Sequence, residues 1–65
     1  MDANQEIWET LAARRRNEKM TEAEREAFNA AEQNADDTSV ERGFEFFSAE
    51  WYQVFAMSYE FMSEQ

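Results

Sequence analysis

No cysteine, no histidine and no proline occur in this 65-residue chain, and glycine occurs once. Without cysteine there are no disulfides and no thiolate chemistry. Without cysteine and histidine together, the usual ligands of zinc and other imidazole- or thiolate-bound metals are missing. Without proline, and with Gly43 alone, little in the sequence forces a helix to stop. Residues that favour strands are also scarce: Val occurs twice, Ile once, and no alternating run of them appears. The longest uninterrupted apolar run is Val54–Met57, far short of the ~20 residues of a membrane-spanning helix. No basic segment followed by an apolar one opens the sequence, so a secretory signal is not read here and a cytoplasmic protein is expected.

What is present is acid, alanine and aromatic rings. Fifteen Asp and Glu against six Lys and Arg give a formal net charge of −9. The charge is uneven. Residues 1–20 are neutral, with four acids and four bases; residues 21–42 carry seven acids and two bases; residues 43–65 carry four acids and no base. Direct nucleic-acid binding is disfavoured, because neutralising phosphates requires Lys and Arg. Anionic membranes repel the same charge. A basic protein surface attracts it.

Ala, Glu, Gln, Arg and Met, all good helix formers, dominate the composition. The expected fold is all-α: a small three-helix bundle forming one domain over residues 1–65, with the third helix long or bent near residues 43–48. The first helix is expected to begin after Asp2 or Asn4, with a short apolar face of Ile7, Trp8, Leu11 and Ala12. Arg14, Arg15, Arg16 and Lys19 suit its C-terminal end and are expected to pair with acids of the second helix, for example Glu22 or Glu26. Thr21 and Glu24 have the spacing of a capping box, which predicts a second helix over 22–34. The "NADDTSVE" stretch at 34–41 reads as a turn, since Asn, Asp, Thr and Ser compete for backbone hydrogen bonds. A third helix is expected from about Ser39 to about Ser63, either continuous or broken within 43–48, where Ser48 can cap a fresh helix with Glu50 in its first turn.

Eight of the ten aromatic residues lie between Gly43 and Met62. Projected on one helix, Phe44, Phe47, Trp51, Val54, Phe55, Tyr59 and Met62 form a wide stripe with Tyr52 at its edge, which predicts the core. Phe46, Met57 and Phe61 fall on a separate flank. They could be covered by the third side of the bundle, by a second copy of the chain, or by a foreign partner. A monomer and a dimer pooling two aromatic segments both fit a chain this small.

Nothing in the sequence assembles a catalytic site. No Gly-rich phosphate loop occurs, and carboxylate pairs such as Glu22 and Glu26 lack the cleft that would separate their pKa values. Asp36, Asp37, Thr38, Ser39 and Glu41 offer oxygen ligands, but the Gly and Glu of a calcium-binding helix–loop–helix are not at the required positions. No enzyme activity, cofactor or metal is expected. The strongest clue is an acidic face of Glu22, Glu24, Glu26, Glu32, Asp36, Asp37 and Glu41. Carboxylates at i and i+4 of a helix stand ~6 Å apart, a spacing comparable with that of phosphates along a nucleic-acid strand.

In size, acidity and lack of catalytic residues, the chain resembles the small inhibitors that phages and mobile elements encode, of the anti-CRISPR and anti-restriction type. The resemblance implies a non-catalytic, acidic, protein-binding inhibitor, a DNA mimic that occupies a basic surface of a nucleic-acid-processing complex. The alternative is a homodimeric helical adaptor that uses the Phe46, Met57 and Phe61 patch. The expected partner is therefore a protein with a basic surface, or a second copy, with no direct contact to nucleic acid or membrane.

Overall fold

A computed structural model describes residues 2–64. Three helices form a small all-α bundle: α1, Ala3–Arg16; α2, Glu22–Arg42; and α3, Ala49–Ser63. No strand occurs among the described residues.

Each helix start follows from a side chain that satisfies a free backbone N–H. Asp2 accepts from the Asn4 N–H at 2.8 Å. Thr21 and Glu24 close the expected capping box, with the Glu24 N–H donating to Thr21 Oγ1 at 3.1 Å and the Thr21 N–H donating to Glu24 Oε1 at 3.0 Å. Ser48 caps α3, accepting from the Trp51 N–H at 3.3 Å, and Glu50 stands in the first turn as anticipated.

The stops divide the chain differently from the sequence reading. α1 ends at Arg16, so Lys19 lies beyond it; the turn passes through Glu18 at φ 56°, and the Lys19 N–H returns to the Arg14 carbonyl at 2.8 Å. The "NADDTSVE" stretch is not a turn. It continues α2 to Arg42, and the third helix begins at Ala49 rather than near Ser39. Tertiary contacts override local preference here. Ala35 and Ser39 face the core, the Asp36 carboxylate accepts the Trp51 indole N–H, and Asp37 accepts from the Gln33 side chain one turn back. Asn34, Asp36 and Asp37 therefore have side-chain partners that compete with their own backbone. α2 ends instead at Gly43, whose φ of +78° is cheap only for glycine. The Gly43 and Phe44 N–H groups both donate to the Ser39 carbonyl, at 2.8 and 2.9 Å. The break within 43–48 thus exists, but it separates α2 from α3.

α3 supplies three of the bulkiest core side chains, Trp51, Tyr52 and Phe55, and packs against both other helices, while α1 and α2 approach each other only slightly at the backbone. Trp51 and Phe55 are fully buried, Tyr52 nearly so, and they meet Phe28, Ala31 and Ala35 of α2 and Leu11 and Ala12 of α1. Phe28 and Phe55 pack edge to face with centroids 5.2 Å apart, and Trp51 stacks on Phe55 at 5.8 Å. Alanines on α2 leave the room that these rings fill. Val54, Tyr59 and Met62 are half-buried at the margin. Phe44 and Phe47 leave the predicted stripe, because residues 43–48 are not helical and a helical projection does not apply to them. Phe47 is instead 54% exposed and adopts φ 61°, a costly backbone angle for a bulky residue. Its ring is held on Trp51 at 4.6 Å, Trp8 at 5.5 Å and Tyr52 at 6.2 Å. Phe47 and Tyr52 occupy the two positions of a hydrophobic staple around the Ser48 cap, which fixes how the chain enters α3.

The molecule is flat, with Cα extents of 32 × 26 × 17 Å. Two helices packed at their usual separation of 8–10 Å span roughly 13–15 Å between outer Cα atoms. Its thin dimension therefore holds two helix layers, not three. α1 covers one side of the α2–α3 pair, and the other side stays open.

Among the described residues one buried side-chain polar atom is unsatisfied. Ser39 Oγ, in a residue 1% exposed, has no hydrogen-bond partner among the described residues. An unpaired buried hydroxyl costs about 1–3 kcal/mol, and Ala is the better helix former. Ser39→Ala is expected to stabilise the fold by about 1 kcal/mol, which raises the melting temperature of a domain this size by roughly 4–8 °C. Thermal unfolding followed by circular dichroism measures the shift, and a lowered melting temperature would show that the hydroxyl has a partner.

Candidate functional site

The seven carboxylates of the expected acidic face all lie on α2, but the structure sorts them into two groups. Glu24, Glu32 and Asp36 are half-buried and spoken for. Glu24 closes the capping box and pairs with Arg14 at 3.1 Å. The Thr21 backbone N–H, its hydroxyl and the Arg14 guanidinium hold the Glu24 carboxyl below the usual glutamate range. Glu32 accepts the Trp8 indole N–H at 3.0 Å on one oxygen and Arg15 at 3.3 Å on the other. Asp36 accepts the Trp51 indole N–H at 2.8 Å. These three carboxylates tie helices together rather than face a partner.

Arg14 and Arg15 do pair with α2, as expected, but with Glu24 and Glu32 instead of Glu22 or Glu26. The reason is rotational. Glu22 and Glu26 point away from α1, whereas Glu24 and Glu32 sit beside it. Arg15 is anchored further by Asn29 Oδ1 at 2.9 Å and by the Phe28 ring, whose centroid lies 4.5 Å from its guanidinium carbon.

Glu22, Glu26, Asp37 and Glu41 form the second group. All four are exposed, and none takes part in an ion pair among the described residues. At about 100° per residue they fall within an arc of roughly 100° on the outward side of α2. Glu22 and Glu26, like Asp37 and Glu41, are spaced i and i+4, with Gln33 linked to Asp37 between them. These are two acidic pairs about 16 Å apart along the helix, four of the seven carboxylates that the sequence suggested.

The aromatic flank is also divided. Met57 and Phe61 are 63% and 67% exposed, so no third side of the bundle covers them. They stand together beside Asn34, Ser58 and Met62, lining an open groove of about 430 Å³ between α2 and α3. Phe46 is exposed as well but sits on the 43–48 connection and lines none of these grooves. The sequence reading missed Phe44 and Val54 as groove residues. Both line an adjoining depression of about 310 Å³ with Met57, Thr38 and Arg42. A third depression of about 330 Å³ runs from Met62 over Ala23, Ala27 and Ala30. The first adjoins the other two at Met57 and Met62, so the three lie in succession as a furrow along the side of the α2–α3 pair that α1 leaves bare. Only the position of the α2–α3 break could have revealed the roles of Phe44 and Val54 in advance.

Burial raises the Tyr52 and Tyr59 phenols above their ordinary pKa, with Glu9 and Glu24 respectively adding to the effect, so both stay protonated at neutral pH. Among the described residues no group of three or more acids is placed to hold a metal ion. No helix of the described residues is long and apolar enough to cross a membrane. The features that remain are therefore two adjoining surfaces, one acidic and one apolar. Compared with protein-family models, curated proteins and solved structures, the chain matches none of them, so its own residues carry the functional argument.

Proposed function

We propose that this chain is a non-catalytic, acidic binding protein that occupies a basic surface of a nucleic-acid-processing complex and blocks it, in the manner of anti-CRISPR-like inhibitors and nucleic-acid mimics. The observation that carries this reading is the row of Glu22, Glu26, Asp37 and Glu41, exposed along the outward side of α2 without cationic partners among the described residues. Within each pair, Glu22 with Glu26 and Asp37 with Glu41, the carboxylates stand ~6 Å apart on a rigid helix, a spacing comparable with phosphates. A basic channel already shaped for a nucleic-acid strand is the surface such a row complements. Asp36 belongs to the fold and drops out of this set.

The test compares the wild-type chain with the triple variant Glu22→Lys, Glu26→Lys, Asp37→Lys as bait in bacterial lysate. Nucleic-acid-binding proteins are expected on the wild type at low salt, lost at high salt, and absent from the variant. Equal recovery by both baits would remove the acidic face from the mechanism. A second reading, a homodimeric adaptor, draws on the exposure of Phe46, Met57 and Phe61. It requires a two-chain mass in light scattering, little changed by salt.

A further inference from the structure

The furrow on the bare side of the α2–α3 pair is an apolar feature the fold leaves uncovered, and its shape and charge specify an occupant. It follows α2 from Ala23 to Arg42, a length of roughly 28 Å at 1.5 Å per residue, or about five turns of helix. Ala23, Ala27 and Ala30 recur at i, i+4 and i+7, so one end of the α2 wall is low and admits large incoming side chains. Met57, Phe61 and Met62 rise on the α3 side, and methionine adapts readily to different apolar shapes. Between the walls the Asn34 side-chain amide donates to Ser58 Oγ at 2.6 Å.

The borders of the furrow are acidic. Glu26 lines it from α2 and Glu50 from α3, and Glu22, Asp37 and Glu41 stand on the adjoining outward face of α2. Arg42 is the one base lining it among the described residues, and residues 43–65 contain none. A second copy seated here by two-fold symmetry would place this same acidic border against itself, which is destabilising. Anionic lipid would be repelled in the same way. A helix with an apolar stripe and Lys or Arg on its flanks satisfies both the apolar floor and the acidic edges.

We propose that the α2–α3 furrow is a receptor for a basic amphipathic helix of a partner protein, which lies along it as the fourth helix of a bundle. This rests on the reading that the partner is basic and adds how it is gripped: apolar side chains on Met57, Phe61 and Met62, cations on the rims.

The probe is a fluorescein-labelled synthetic peptide of about five helical turns, with leucines at i, i+3, i+4 and i+7 spacing and lysines on the flanks. It is titrated with the full chain by fluorescence anisotropy at low salt. Two control peptides carry the same residues in scrambled order, or glutamates in place of the lysines. One-to-one saturable binding is expected, at least about tenfold weaker for both controls and for Phe61→Glu and Met57→Glu, a loss of about 1.4 kcal/mol or more. Both substituted residues are mostly exposed, and circular dichroism checks that each variant stays folded. Equal binding of the scrambled peptide would overturn the proposal by reducing it to charge alone, and so would indifference to both variants. A two-chain mass that Phe61→Glu reduces to one chain would also overturn it, since a second copy would then fill the furrow. If the peptide fails while salt-sensitive capture from lysate persists and needs Glu22, Glu26 and Asp37, the furrow is wrong and the acidic face stands alone.

Discussion

Trp51→Ala leaves no folded protein at room temperature. Trp51 is 1% exposed and central to the ring cluster: it stacks on Phe55 at 5.8 Å, meets Phe47 at 4.6 Å and Tyr52 at 5.3 Å, and lies 6.2 Å from Trp8. Its indole N–H also reaches Asp36 across the α2–α3 interface at 2.8 Å. Truncating a buried tryptophan to alanine costs about 3–5 kcal/mol. A single core in a chain of this size rarely supplies more than about 3–5 kcal/mol in total, so the loss matches the whole stability. The far-ultraviolet circular dichroism of the variant should show a largely unfolded chain, with no cooperative melting transition. Trp51→Phe separates packing from hydrogen bonding. It keeps an aromatic ring in the cluster and loses the indole N–H, so it should melt cooperatively but below the wild type. A cooperative transition in Trp51→Ala near the wild-type temperature would mean that the ring cluster is not the source of stability.

Glu32→Ala loosens α1 on α2. Because the two helix backbones barely approach each other, their connection runs through a few side chains, and Glu32 receives two of them. Trp8 donates to one carboxylate oxygen at 3.0 Å, and Arg15 to the other at 3.3 Å. A hydrogen bond to a charged group contributes about 1.5–3 kcal/mol, while a surface-type ion pair adds only about 0–1 kcal/mol. The expected loss is therefore about 2 kcal/mol, and most of it comes from the indole. Glu32→Gln discriminates between the two contributions. Its amide oxygen can still accept from Trp8 but no longer pairs electrostatically with Arg15, so its cost should stay below about 1 kcal/mol. Amide hydrogen exchange should show faster exchange in α1 of Glu32→Ala than in α2 or α3. Equal losses for Ala and Gln would identify the charge, not the hydrogen bond, as the clamp.

Both results bear on function, because they distinguish carboxylates that hold the fold from carboxylates free to meet a partner. Reversing charge at Glu32 or Asp36 would weaken binding by unfolding the protein. Only Glu22, Glu26, Asp37 and Glu41 test the acidic face without that confusion.

Much of this molecule was legible in its sequence. The missing strand formers and the abundance of Ala, Glu and Arg gave an all-α chain. The starts of α1 and α2 were marked by side chains whose capping chemistry is local, Asp2 and Thr21 with Glu24, whereas α3 was expected near Ser39, with Ser48 only as the cap of a possible break. A cap acts over three residues, so three residues suffice to recognise it. The central members of the aromatic stripe, Trp51 and Phe55, were equally plain, because helical periodicity alone puts them on one face.

The end of α2 was settled by long-range contacts. "NADDTSVE" looks like a turn when its Asn, Asp, Thr and Ser have only their own backbone to bond. It is helical because Trp51, fifteen residues after Asp36, gives that carboxylate a better partner and because Ala35 and Ser39 are drawn into the core. The same shift of the boundary removed Phe44 and Phe47 from the helical stripe. Which acids are free was likewise invisible in sequence, since it depends on which side of α2 the first helix covers. Composition and local capping fixed the class of fold and the starts of α1 and α2. Packing between distant residues decided where α2 stops, which carboxylates remain outward, and that one side of the α2–α3 pair stays open.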